Sequence, residues 1–225
     1  MERHFDESLQ KVKKSLLEMA SMVEDAITKS LEALKKKDLR LAAKISEIDH
    51  QIDLMEIAIE ENCIELIARN QPVGADLRFL IAAIKMNNDL ERMGDHAVNI
   101  AGCVTYLIEQ PRIKPVTNIW SMSRTVKEML NDVVESFVQN DAARAQKVCE
   151  RDSVVDEMRD ETMRILLTYM LEEPEKIGSA ISLILVAKNL ERIADLSTNI
   201  SEDVIYIAQA RVIKHHAEER KEQVS

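Results

Sequence analysis

Glycine and proline are scarce in this chain, four of each in 225 residues, well below average usage. Few turn formers leave few points of reversal, and no strand-type alternation bounded by glycine or proline is evident. Cysteine is nearly as rare. Cys63, Cys103 and Cys149 are odd in number and widely spaced, which excludes a disulfide framework and a zinc motif and reads as buried thiols in a reducing cytoplasm. No apolar run approaches a membrane span, and Met1-Glu-Arg-His-Phe-Asp is not a signal peptide in pattern, so a cytoplasmic protein is expected. Basic excess is absent too: the net charge is −10, unsuited to general nucleic-acid binding. There is no P-loop, no glycine-rich nucleotide loop and no nucleophile with an evident base partner, so action through binding rather than catalysis is expected.

What remains is 46% apolar and only 3% aromatic, rich in Ala, Leu, Ile, Met, Glu, Lys and Arg. That is the composition of an all-α protein with long helices. The first helix is expected over roughly 5–36, where Val12, Leu16, Met19, Val23, Ile27, Leu31 and Leu34 recur at three- and four-residue spacing. Lys35, Lys36 and Lys37 read as its solvated basic end, and Asp38 as the next N-cap. The second spans roughly 39–69 and stops at Gln71-Pro72-Val73-Gly74. The third runs from about Asp76 to 109. Gln110-Pro-Arg-Ile-Lys-Pro115 is the segment with two prolines, and a boundary placed there gives domains 1–110 and 111–225. Three more helices are expected over roughly 116–139, 142–171 and 176–214, followed by a polar tail. His215-His216 is too short to argue for a metal. The methionines scattered on apolar faces read as core filling.

The chain repeats itself. Glu91, Arg92, Asp95 and Asn99 recur one hundred positions on as Glu191, Arg192, Asp195 and Asn199, and Asp38, Asp49 and Asp53 recur as Asp141, Asp152 and Asp156 at an offset of 103 (141 − 38). The reading is therefore two pseudo-symmetric tandem three-helix bundles. Each Glu-x-x-x-Asp-x-x-x-Asn makes a polar ladder on one helix face. The short turn at Pro72 makes an antiparallel hairpin, in which Asp49 lies 23 residues before Pro72 and Asp95 lies 23 after, Asp53 19 before and Glu91 19 after. Asp152, Asp156, Glu191 and Asp195 meet in the same way around Pro174. Ile84 and Val98 point nearly the same way as Glu91, at about 100° per residue, so this level is not a clean solvent face. Two like charges 4 Å apart cost about 4 kcal/mol at an effective dielectric of 20, and four such carboxylates call for protons, arginines (Arg92 and Arg192 are candidates) or a cation. Oxygen-rich sites of this kind suit Mg²⁺ or Mn²⁺, and Fe or Zn where carboxylates bridge metals. One such pair alone would read as solvated surface; the matched level in both halves is what argues for a site. His50 and His96 have Ser153 and Leu196 as counterparts and read as surface or supporting residues. Gly94 reads as a point of close helix approach.

Gln71-Pro-Val-Gly-Ala-Asp-Leu-Arg78, Asp89-Leu-Glu-Arg-Met-Gly-Asp95 and Leu190-Glu-Arg-Ile-Ala-Asp195 are the motifs by which the chain resembles, over essentially its whole length, the PhoU family of phosphate-specific transport accessory proteins. Ala194 departs mildly from the glycine often seen there. The resemblance implies paired three-helix bundles and a multinuclear metal cluster, iron or zinc with manganese or magnesium as alternatives. By motif its ligands would be Asp49, Asp53, Glu91, Asp95 and Asn99, and Asp152, Asp156, Glu191, Asp195 and Asn199. It further implies a cytoplasmic homodimer that represses phosphate-starvation signalling by contacting the phosphate ABC transporter ATPase and a sensor histidine kinase. Two alternatives stand beside it. A ferritin-like dinuclear metal oxidase wants a Glu-x-x-His from each of two helices, whereas this chain has Glu47-x-x-His50 in one half and Glu150-x-x-Ser153 in the other. A metal-free helical adaptor would have its ladders neutralised by arginine.

Overall fold

The computed structural model describes residues 2–111, 113 and 117–209. Six long helices account for nearly all of them: α1 (Glu2–Lys36), α2 (Leu39–Asn70), α3 (Gly74–Leu107), α4 (Thr117–Gln139), α5 (Ala142–Glu172) and α6 (Ile177–Gln209). The expected end of the last helix at 214, His215-His216 and the polar tail lie outside the described residues, as do Arg112, Lys114 and Pro115. Among the described residues there is no strand, and no helix is long and apolar enough to cross a membrane.

The two repeats turn the same corner with the same chemistry. Lys37 and Asn140 take left-handed backbone angles (φ 54° and 55°), and the next N–H reaches back to the helix it leaves, Asp38 to Ala33 O at 3.0 Å and Asp141 to Ser136 O at 2.9 Å. The following helix is then capped at once. The Asp38 carboxylate accepts from the Arg40 and Leu41 N–H groups, and Asp141 from Arg144 N–H. At the second corner the repeats part. Left-handed Gln71 (φ 48°) and Gly74 (φ 60°) lead directly into α3, two residues earlier than the sequence suggests. Glu173 instead leads into a short 3₁₀ turn, Pro174–Lys176, before α6. This difference in connection is where the offset between repeats slips from 103 to 100.

Lys37 corrects the reading of a solvated basic run. Its ammonium donates to the Leu107 carbonyl and, at 3.5 Å, to that of Gln110, capping the end of α3. Lys35 lies over the Trp120 ring, 5.9 Å from its centroid.

α1 buries Leu16, Met19, Val23 and Ile27 against Ile45, Ile52 and Ile59 of α2 and Leu80, Leu90 and Met93 of α3. α4 does the same with Met122, Val126 and Met129 against α5 and α6. The buried methionines fill the core as expected. The bundles join through α3 and α6, which run antiparallel: Lys85 Nζ meets Asp203 at 3.0 Å, His96 Nδ1 meets Asn189 Oδ1 at 2.9 Å, and Ser179 Oγ donates to Pro111 O at 2.6 Å. As numbers rise along α3 they fall along α6. The fold is thus one layer of four helices in the order α2–α3–α6–α5, with α1 and α4 covering one face and the other face uncovered among the described residues.

Candidate functional site

The first carboxylate group is built by α2 and α3. Asp53 from α2 and Asp95 from α3 lie near enough to Asp49 and Glu91 to raise the proton affinity of both, and Glu56 acts on Glu91 in the same way. The matched levels around Pro72 are therefore real in space. Gly94 makes the approach feasible: a Cβ on it would sit 3.1 Å from Asp49 Oδ1 and 3.2 Å from Ile52 Cδ1. Asp49 is half-buried, and its Oδ1 is buried with no hydrogen-bond partner. Burial first, then the charges of Asp53 and Asp95, push its pKa up to about 6. Burial and the same neighbours also raise Glu91, and burial followed by Glu60 and Asp53 raises Glu56. His50 is exposed, one step round the helix from Asp49.

The second group, Asp152 and Asp156 from α5 with Glu191 and Asp195 from α6, has the same plan and a different charge balance. Asp152 is pushed up to about 6 by burial and by Asp195 and Asp156, against a downward pull from the Thr198 hydroxyl. Glu191 is raised by burial and Asp195, while Arg192 and Arg159 oppose this. Arg159 reaches Glu191 at 2.9 Å, Asp156 at 3.2 Å and Asp160 at 3.0 Å. Arg192 reaches Asp195 at 3.1 Å and Glu191 at 3.7 Å. The expected neutralising role of the ladder arginine thus holds for Arg192. Arg92 pairs instead with buried Asp89, at 3.4 Å.

Arg159 was not singled out from the sequence, although a signal was there. It lies three residues after Asp156 on one helix face, and the repeat offset sets it against Glu56 (159 − 103 = 56). One repeat places a guanidinium where the other places a fifth carboxylate. Arg159→Ala strips the inner partner from Glu191, whose side chain is only 13% exposed. The expected loss is about 1–2 kcal/mol near pH 7.5, below the range for a fully buried pair because Arg159 is partly solvated. Urea unfolding will show it, and the loss will shrink as the pH falls and Glu191, its proton affinity raised, takes up a proton.

The asparagines separate. Both are exposed, but the Asn99 main-chain carbonyl accepts from Cys103 Sγ on its own helix. Asn199 faces the seam between bundles. It lines a cavity of about 340 Å³ with Arg92, His96, Asp152, Arg192 and Asp195, and also a cavity of about 470 Å³ with Glu56, Glu60, Lys85 and Asp203. His96 is therefore a seam residue rather than a surface one. The Asn189 amide donates to Leu185 O, so its oxygen is the atom that accepts from His96 Nδ1–H. A larger groove of about 780 Å³ between α1 and α2, lined by Phe5, Val12, Ile59 and Leu66 among others, contains none of the ladder residues. Cys63 and Cys103 are buried thiols as expected; Cys149 is only half-buried, and burial pushes it, like Cys63, up to about 11.

The donors are hard oxygens, suited to a hard or bridging cation, and Asp49 Oδ1 is a buried acceptor with nothing to accept from. As the side chains stand, no group of three or more His, Cys, Asp or Glu among the described residues is arranged to hold a metal ion. Cation binding would need the carboxylates of the first group to turn toward one another, and in the second group would need Arg159 to withdraw from Glu191.

Comparison with known proteins gives consistent results. A model of the PhoU domain matches residues 16–104 and again 119–204. The "Phosphate-specific transport system accessory protein PhoU homolog" of Aquifex aeolicus is 44% identical over 215 residues, 95% of this chain and 97% of that one. That of Zymomonas mobilis is 41% identical, covering 92% and 87%. The crystal structure of PhoU from Pseudomonas aeruginosa superposes with a TM-score of 0.87 at 35% identity, over 92% of this chain and all of that one. That of the phosphate transport system regulatory protein PhoU from Streptococcus pneumoniae gives 0.88 at 30% identity, over 93% and 99%.

Proposed function

Because the chain belongs to the PhoU family, we propose that it is a cytoplasmic negative regulator of phosphate uptake and phosphate-starvation signalling. In this reading it acts as a homodimer by docking on the phosphate ABC transporter ATPase and a sensor histidine kinase, with no catalysis of its own. The observation that carries the reading is the family match across both repeats together with the duplicated carboxylate level that the fold assembles twice.

The two levels differ in role. The first, with Asp49, Asp53, Glu56, Glu91 and Asp95, is the cation site. Bound iron or zinc, or manganese or magnesium, would supply the positive charge that its own chain does not place among those carboxylates. Asp49 is the anchoring donor because Oδ1 is already desolvated, so its hydration has been given up before any ion arrives. The second, with Asp152, Asp156, Glu191 and Asp195, is held by Arg159 and Arg192 and takes a cation only by displacing a guanidinium. Metal in the first level would cross-link α2 to α3 and stiffen the layer that partners meet.

Elemental analysis of protein purified without chelator, with melting in the presence and absence of EDTA, tests this. Metal is expected to be lost, and the EDTA-sensitive part of the melting temperature with it, in Asp49→Ala/Asp95→Ala. Asp152→Ala/Asp195→Ala is expected to keep most of both. Equal loss in the two variants would make the levels equivalent. No metal and no EDTA effect in the parent chain would leave a metal-free adaptor.

A further inference from the structure

The uncovered face of the four-helix layer is not uniformly polar. At the corner where α5 ends and α6 begins, Met163, Leu167 and Leu171 recur at four-residue spacing on α5, and Ile177, Ile181 and Leu185 do so on α6. All six are exposed, Leu171 by 85%. α6 also buries Val186, Leu190 and Ile193 on its inner side, so it is apolar on both sides, the pattern of a helix covered all round. A contiguous cluster of this kind marks an interaction surface rather than scattered exposed residues.

The other repeat presents the related corner, where α2 ends and α3 begins, with a different edge. Ile57, Ile64 and Ile81 are exposed there. Glu60 stands where α5 has Met163, Lys85 where α6 has Leu185, Glu56 where α5 has Arg159, and Asn88 where α6 has Lys188. Lys85 is tied to Asp203. One corner is therefore apolar with basic Lys188 beside it, Arg159 there being already held by Asp156, Asp160 and Glu191, and the other is apolar with acidic Glu56 and Glu60 beside it. Since α3 and α6 run antiparallel, the two corners lie diagonally opposite on the same face. A two-fold axis lying in that face, perpendicular to the line joining the corners, lays each basic-edged corner on the acid-edged corner of another copy. The contact closes, and both contacts form together. Helices of about 30 residues run ~45 Å, and four of them side by side offer ample room for the ~800 Å² per partner of a stable interface.

We propose that the face of the homodimer is this pairing: the α5–α6 corner of each copy packs on the α2–α3 corner of the other, apolar side chains inward and Lys188 set against Glu60. This rests on the homodimer named under Proposed function and assigns the surface that holds it. Metal occupancy is not required for it.

Light scattering of the full chain across micromolar concentrations is the test. The parent chain is expected to be dimeric, and Leu167→Glu/Ile181→Glu monomeric with its helical circular dichroism and melting transition retained. Lys188→Glu and Glu60→Lys each weaken the dimer by about tenfold, and the combined Glu60→Lys/Lys188→Glu recovers most of that loss, which a merely structural effect would not do. A parent chain that is monomeric throughout overturns both the homodimer and its face. A dimer indifferent to Leu167→Glu/Ile181→Glu keeps the homodimer and overturns the face. A monomeric parent whose binding to the purified transporter ATPase is abolished by Leu167→Glu/Ile181→Glu assigns the corner to that partner and overturns self-pairing.

Discussion

Metal-free protein will melt several degrees higher near pH 5 than near pH 7.5. Asp49 and Asp152 are the reason. Each has a folded pKa of about 6 against an ordinary value of 3.8. A carboxyl group whose folded pKa lies above its unfolded one takes up its proton earlier in the folded chain. Stability therefore rises as pH falls through about 6, and the gain is complete below the unfolded value. At neutral pH both groups are charged, and the cost of holding them among Asp53, Asp95, Asp156 and Asp195 stands in full. Two pKa units correspond to about 3 kcal/mol per group before screening, and partial exposure reduces this to about 1 kcal/mol each. Glu91 and Glu191 are raised as well and act in the same direction.

For a chain of this length about 2 kcal/mol moves the melting temperature by roughly 4–8 °C. Asp49→Asn/Asp152→Asn will be more stable than the parent near pH 7.5 by a similar amount, and its gain on acidification will be smaller. Thermal melts by circular dichroism with chelator present, for both proteins at both pH values, decide the matter. A parent melting curve that does not move with pH, or a variant that gains nothing at pH 7.5, would mean that the carboxylates are solvated and cost the fold nothing. With saturating divalent cation the order reverses if the cation takes the place of the proton, because acidification then competes with binding.

Leu190→Ala will cost about 3 kcal/mol, the larger of the two effects for a single side chain. Leu190 is fully buried on α6, beside Glu191 in sequence and on the opposite side of the helix from the uncovered face. Truncation removes its transfer free energy and leaves a cavity that two packed bundles cannot readily close, since α6 is held by α3, α4 and α5 at once. Urea unfolding will read the loss as a lower midpoint with an unchanged slope. Leu171→Ala, at 85% exposure, will fall within about 0.5 kcal/mol if measured under conditions that keep the chain monomeric. A Leu190→Ala loss under 1 kcal/mol would show that the second bundle is loosely packed around α6.

Much of this architecture is legible one helix at a time. Three- and four-residue periodicity marks every apolar stripe because 3.6 residues make a turn. Asp38 and Asp141 announce their helices because a short carboxylate can reach the first free N–H groups. The level shared by Asp49 with Asp95, and by Asp152 with Asp195, follows from counting outward from a tight hairpin, since an antiparallel pair with a short turn has only one register available. The duplication places the same chemistry in both halves.

Contacts between helices distant in the chain were not legible in this way. Glu56 and Arg159 occupy equivalent positions in the repeat, yet only packing shows that the guanidinium turns inward to Glu191 while the first group keeps an unmatched Asp49 oxygen. Lys37 reads as a solvated helix end until the end of α3 arrives beside it and its ammonium finds two free carbonyls. His96 reads as a surface or supporting residue and Asn199 as part of a ladder, and both become seam residues once α3 lies antiparallel to α6. The local backbone sets which residues share a face of a helix. What that face meets depends on a second helix docked by hydrophobic burial that has no direction of its own, so partnership across the seam, charge balance within each carboxylate group and the bare corner of the layer were settled by the tertiary structure alone.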